Sequence, residues 1–204
     1  CLDITDQLEH SISYYKKFID QDPYSNFAWY NLGTVYNKLG KFDDAVSAFE
    51  YATLIDENFA SAFFNMGNSF MSLEKYTLAV DAYKKTIDIE GASAETYCNL
   101  AEAYEKLQHY DLAVKYFQKA VKLDSFYSEA WFGVGRCLGY QEKWYEAIHF
   151  LNRALKLDCE NGLYWKRVAE AEYHIGNLVS SLDGYEEASM LNPEDLEIYL
   201  DWSY

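Results

Sequence analysis

The chain has 204 residues, half of them hydrophobic and a quarter charged, with a net charge of −16 at neutral pH. That balance is globular rather than disordered, and its acidity disfavours a phosphate-tracking nucleic-acid surface and docking on anionic lipid. The 10 Gly and 2 Pro are too few for a turn-rich β-sandwich, whereas 20 Tyr, 12 Phe and 5 Trp point to a systematic use of aromatics.

Residues 1–25 open on Cys1-Leu2-Asp3, without Met, and carry a helical pattern within a few residues. A mature lipoprotein also begins on Cys but follows it with a flexible linker, so the reading adopted is a piece of a longer, bacterial chain. No apolar run approaches the ~18–20 residues of a membrane span, and no basic-then-apolar leader is present. From residue 26 onward the bulky aromatics set a period. Trp29, Phe63, Tyr97, Trp131 and Trp165 stand 34 residues apart, and Tyr199 continues the series. With Trp29 as position 4 of a 34-residue unit, position 7 reads Leu32, Met66, Leu100, Val134, Val168. Position 8 reads Gly33, Gly67, Ala101, Gly135, Ala169, and position 11 reads Tyr36, Phe70, Tyr104, Leu138, Glu172. Positions 20, 24 and 27 hold Ala45, Phe49 and Ala52 in the first unit and similar residues after it, with Ser181 as the exception at position 20.

Positions 4, 7, 8 and 11 share one face of an α-helix, and positions 20, 24 and 27 share one face of a second. The spacing predicts first helices over 26–39, 60–73, 94–107, 128–141 and 162–175. Second helices are predicted over 42–55, 76–89, 110–123, 144–157 and 178–191. Gly40 and Gly176 fall between the two faces, where a left-handed residue ends a helix. Small residues at positions 8, 20 and 27 allow close approach, and large ones at 4, 11 and 24 fill the space beside them. Trp29, Tyr36, Ala45, Phe49, Tyr104, Ala113, Phe117, Trp131 and Ala147 are expected in the core. Glu172 breaks the pattern and is expected to be exposed by a local shift or to find a donor.

The W-x2-L-G-x2-Y…A-x3-F…P pattern stands almost intact in residues 29–52 and resembles the tetratricopeptide repeat, and the resemblance runs through the chain in unbroken register. It implies a right-handed all-α solenoid of antiparallel helix pairs. The units are 26–59, 60–93, 94–127, 128–161 and 162–195. Residues 1–25 then read as the second helix of a preceding unit. Residues 196–204, with Leu196, Tyr199, Leu200 and Trp202, read as the start of a following one.

In the family the first helices line the concave ligand surface. Position 6 on that side reads Asn31, Asn65, Asn99, Gly133, Arg167. A carboxamide offers an acceptor and two donors, so repeated Asn can hold the polar groups of an extended peptide with little regard to sequence. The arrangement resembles the asparagine ladder of O-linked N-acetylglucosamine transferase repeats. The alternative is Asn tolerated on a solvated face. Position 5 reads Tyr30, Phe64, Cys98, Phe132, Lys166; its aromatics either flank a ligand or pad the seam between first helices. Glu95, Glu102, Glu105 and Glu129 precede Arg136, Lys166 and Arg167 along the chain, a division that could orient a charged partner. The Lys and Asn pairing of the heat-shock carboxylate clamp is absent at positions 5 and 9, where Tyr30 and Thr34, then Phe64 and Asn68, stand instead.

Cys1, Cys98, Cys137 and Cys159 have no CxxC spacing and read as reduced cytoplasmic thiols. Four scattered His give no metal-ligand pattern, and no nucleophile elbow or phosphate loop occurs. The expected function is therefore a non-enzymatic module without cofactor that binds a protein or peptide in its concave groove. The peptide site would comprise Asn31, Asn65, Asn99, Tyr30, Phe64, Phe132, Arg136, Lys166 and Arg167, with neither nucleic acid nor membrane as partner. The alternative is a structural spacer or assembly arm.

Overall fold

The turn inside each helix pair sets the architecture. The computed structural model describes residues 2–194, with side chains from residue 7. Its helices are α1 (Leu2–Gln21), α2 (Asn26–Lys38), α3 (Phe42–Ile55), α4 (Ala60–Ser72), α5 (Tyr76–Glu90) and α6 (Ala94–Lys106). They continue as α7 (Tyr110–Leu123), α8 (Ser128–Tyr140), α9 (Trp144–Leu157), α10 (Gly162–His174) and α11 (Leu178–Leu191). Helices α2 to α11 lie within one residue of the bounds expected from the period, and no strand occurs among the described residues. The segment holding Leu196, Tyr199, Leu200 and Trp202 lies outside the described residues.

Position 15 ends every first helix in the left-handed region, whatever residue occupies it. Gly40 has φ 72° and Gly176 87°, but Glu74, Gln108 and Glu142 adopt 58°, 60° and 60°. The amide of the next residue reaches back five residues, as in Lys41 N–H to the Tyr36 carbonyl at 2.9 Å and His109 to Tyr104 at 2.9 Å. These bonds satisfy carbonyls that a helix end leaves open. Three of the first helices, α2, α6 and α10, are capped at their starts by Ser25, Ser93 and Asn161, whose side chains accept from Ala28, Thr96 and Leu163 amides.

The chain divides into two compact units, residues 1–92 and 93–204. In the first, α2 pairs with α3 and α4 with α5, while α3 packs on α4 and α1 on α2. In the second, α6 pairs with α7, α8 with α9 and α10 with α11; α7 packs on α8 and α9 on α10. First helices also neighbour one another, α2 beside α4 in one unit and α6 beside α8 and α8 beside α10 in the other. This is the solenoid arrangement of stacked helix pairs, each burying a face its neighbour alone could not cover.

Position 8 meets position 24 across each pair. A Cβ on Gly33 would stand 2.7 Å from the Phe49 ring, and one on Gly67 2.6 Å from the Tyr83 ring. Phe49, Tyr83 and Phe117 are buried, and the Tyr83 hydroxyl donates to Asn68 Oδ1 at 2.7 Å. Tyr36, Ala45, Tyr104, Ala113 and Ala147 are buried as expected. Trp29 and Trp131 are not: both are half-buried. Each indole instead clamps the loop before its own helix. Trp29, Trp131 and Trp165 Nε1–H donate to the carbonyls of Pro23, Ser125 and Cys159 at 3.0, 3.0 and 2.9 Å. An amphipathic ring whose N–H needs a partner suits this seam better than a dry core. Glu172 is half-buried and finds a donor, Asn177 Nδ2 at 2.8 Å.

Candidate functional site

Because first helices neighbour one another, residues at positions 5, 6, 9 and 12 of successive helices meet on a common face. Within the first unit that face is uncharged. Asn31 on α2 is half-buried and makes no hydrogen bond to a described residue. Asn65 on α4 is also half-buried, but its Nδ2 donates to the Tyr30 hydroxyl at 3.0 Å and to the Ser61 carbonyl at 3.1 Å. Asn65 is thus paired with the chain, whereas the ladder calls for all three amides to be unpaired. Tyr30 rests against Phe59 and Phe49, with ring centroids 5.0 and 5.8 Å away. Phe64 tilts against Tyr83 at 5.8 Å. Both aromatics are half-buried, so each lines the face while padding the seam beneath it.

The second unit has a charged face. Asn99 on α6 is half-buried. Position 6 of α8 is Gly133 for a steric reason: a Cβ there would lie 2.5 Å from the Phe117 ring of α7. Phe132 is 4% exposed and stacks on Tyr164 with centroids 4.4 Å apart. Lys166 is 7% exposed. Arg136 donates to Glu105 at 2.6 Å, and Arg167 to Glu170 at 2.5 Å. The two arginines are therefore partly neutralised by carboxylates of their own unit. Positions 12 and 9 of adjacent units carry the first pair and an i,i+3 spacing carries the second, and those offsets were the available signal. Glu102, half-buried beside them, has its carboxyl raised above the ordinary range chiefly by burial, while Arg136 acts in the opposite direction.

A pairing between positions 4 and 26 also escaped the periodicity. Lys119 Nζ sits 5.1 Å from the Tyr97 ring centroid, Arg153 lies 5.8 Å from that of Trp131, and Lys85 lies 5.9 Å from that of Phe63. Tyr51 stacks on Trp29 at 4.5 Å in the corresponding place of the first repeat. These contacts link the two helices of four of the five pairs, and the cationic ones add cation–π attraction to the packing.

Burial pushes the thiols of Cys98 and Cys137 well up from their ordinary value, so neither is a thiolate nucleophile near neutrality. Among the described residues no helix is long and apolar enough to cross a membrane.

Helix pairs of this length, stacked in this way with a 34-residue repeat, define a repeat scaffold for protein recognition. The tetratricopeptide repeat profile matches residues 27–59 and 94–127, and a second TPR repeat profile matches residues 67–108. The chain belongs to the tetratricopeptide-repeat family, and it is a protein–protein interaction module of a family whose repeats are typically non-catalytic. The fold is similar to that of YrrB, described as a TPR protein with an unusual peptide-binding site. The TM-score is 0.77 at 20% identity, covering 93% of this chain and 98% of that one. It is also similar to MamA from Desulfovibrio magneticus RS-1 (TM-score 0.77, 15% identity, 83% and 96% covered). PilF of Pseudomonas aeruginosa aligns with TM-score 0.75 at 19% identity, over 85% and 79% of the two chains. Identities this low speak to the fold alone. No curated protein matches the chain in sequence.

Proposed function

We propose that the chain binds an extended segment of a partner protein along the face of its first helices, without catalysing a reaction. The observation that carries this reading is the fixed carboxamide of Asn65. Its Nδ2 is held by Tyr30 and Ser61, which sets the orientation of the group and leaves Oδ1 to accept a partner's backbone N–H. Ordering the group in advance lowers the entropic cost of binding. Asn31 on the neighbouring helix supplies both a donor and an acceptor, and the Tyr30 and Phe64 rings supply apolar contact beside them. Asn99 occupies the same repeat position in the second unit and serves that unit's face. There Arg136 and Arg167 keep N–H groups beyond those given to Glu105 and Glu170, and orient an acidic group of the partner. YrrB, with the same fold, is described as having a peptide-binding site. The acidic surface argues against nucleic acid as the partner, and the buried free thiols suit the reducing cytoplasm.

A spacer role draws its support from the second unit, where Phe132 and Lys166 are buried. The two readings separate in a peptide-display screen against the chain, followed by titration calorimetry of the enriched peptides. Replacing Asn31 and Asn65 together with Ala should weaken binding by about tenfold, the sum of two ordinary hydrogen bonds, with an unchanged circular dichroism spectrum. Enriched peptides that bind this variant as tightly as the parent reject the amide site; a screen that enriches none favours the spacer.

A further inference from the structure

In the first unit a cavity of about 340 Å³ lies between α1, α2 and α3, at the lower end of the roughly 300–1,000 Å³ of small-ligand sites. Trp29, Tyr36 and Tyr51 supply its aromatic lining, and the buried Ile19, Leu32 and Ala48 complete the apolar part. Asp20 on α1 and Asp44 on α3 line it as well, and neither is in a salt bridge among the described residues. Positions 5, 6, 9 and 12 of α2 take no part in the lining, so the cavity is separate from the amide face.

The following repeats show what this place accepts. At position 26 the second, third and fourth repeats carry Lys85, Lys119 and Arg153, and each cation lies over the position-4 ring of its own pair, at 5.9, 5.1 and 5.8 Å. The first repeat has Tyr51 at position 26, stacked on Trp29 with centroids 4.5 Å apart. A second ring stands where the chain elsewhere supplies a cation. The charge balance points the same way. Two carboxylates are set against one ammonium, that of Lys16, whose Nζ is 5.9 Å from the Tyr36 ring centroid. One uncompensated negative charge beside stacked rings favours a cation that also rests on an aromatic surface. A guanidinium suits this better than an ammonium. It is planar and weakly hydrated, and its fork of N–H donors engages a carboxylate while its face lies on a ring.

We infer that the cavity between α1, α2 and α3 receives an arginine side chain of a partner protein, laid against Trp29, Tyr36 and Tyr51 and neutralised by Asp20 and Asp44. The partner thus supplies at the first repeat the cation that the next three repeats carry themselves. The chain then has a second point of recognition, apart from the face of its first helices.

The indole N–H resonances of the intact chain test this, with acetyl-glycyl-arginyl-glycinamide as the probe. On titration the Trp29 signal should shift and saturate. The Trp131 signal should stay in place, because that ring already carries Arg153. The citrulline counterpart, which keeps the shape without the charge, should bind about tenfold more weakly, the loss of one charge-assisted hydrogen bond. The lysine counterpart, which keeps the charge without the planar fork, should also bind more weakly. Tyr51→Lys, at a side chain 51% exposed, gives the first repeat the position-26 cation of the next three and should abolish the shift. Asp20→Asn combined with Asp44→Asn should weaken binding by about tenfold. A Trp29 shift that never saturates overturns the inference, as does equal binding of the arginine peptide and either counterpart, or undiminished binding in either variant. Should Tyr51→Lys lose its helical circular dichroism, the arginine and citrulline peptides compared on the unaltered chain decide.

Discussion

The two compact units use one repeat for two chemistries. In residues 1–92 the first helices present amides and half-buried aromatic rings, and Asn65 and Tyr30 are bonded to each other. In residues 93–204 the same helical positions present carboxylates and guanidinium groups, paired at 2.6 and 2.5 Å. Beneath both faces the packing is alike: an aromatic or Leu at position 24 meets a small residue at position 8, and an Ala or Thr stands at position 27. The stacking therefore depends on a handful of positions, and the others are free to change. A surface of neutral amides suits recognition of backbone, which every partner possesses, whereas a surface of paired charges gives selectivity and register.

The largest expected effect breaks the shared part of that comparison. Phe117 is fully buried and packs where Gly133 leaves room. Phe117→Ala should cost about 3–5 kcal/mol, the range for large aromatic deletions, in urea unfolding. Trp131→Ala, at a half-buried seam position, should cost clearly less. Equal losses would mean that the indole clamp contributes as much as the core.

An intermediate effect lies at the turn both units share. Gln108 holds a left-handed conformation at φ 60°, where Gly40 has φ 72° with open space around it. Gln108→Gly should raise stability by up to about 1 kcal/mol, and Gly40→Ala should lower it by a similar amount. Two changes of the same sign in thermal melts would refute the local origin of the turn.

The smallest effect sharpens the contrast between the faces. The Glu102 carboxyl is raised above its ordinary value of 4.5 by burial, so the folded chain holds that proton more tightly than the unfolded one. Its contribution to stability then falls as pH rises from below that value toward neutrality. Glu102→Gln should melt higher than the parent at neutral pH, and the gap should close below the ordinary carboxylate value. A gap independent of pH would show that size or hydrogen bonding, and not ionisation, separates the two variants.

Much of this molecule was legible in its sequence. The helix bounds followed from a 34-residue recurrence of Trp, Phe and Tyr, because burying one face of a helix imposes a 3.6-residue rhythm on the chain itself. The turn at position 15 was half legible: Gly40 and Gly176 announced it, while Glu74, Gln108 and Glu142 adopt the same geometry without the residue that favours it. Local bonding from position 16 back to position 11 fixes that turn, so the pattern of the whole repeat carries it where a single residue does not. The Trp residues misled, since a large ring at a periodic position reads as core; the indole N–H, which must find an acceptor, brought them to the seam.

The site lay largely beyond the sequence. Composition and position put Asn31, Asn65, Arg136 and Arg167 on first helices, and nothing more. Tyr30 reaches Asn65 across 35 residues, Arg136 reaches Glu105 across 31, and Phe132 stacks on Tyr164 across 32. Those separations differ by a turn of helix, and which one brings two side chains together depends on the offset between stacked helices. That offset is set by the volumes packed beneath them, such as Phe117 against Gly133, and not by the side chains that meet. Sequence by itself determined the helices, their pairing and the turn between them, because those rest on contacts within one repeat. Only the tertiary structure decided which amides and charges are already engaged, because that rests on how one repeat is seated on the next.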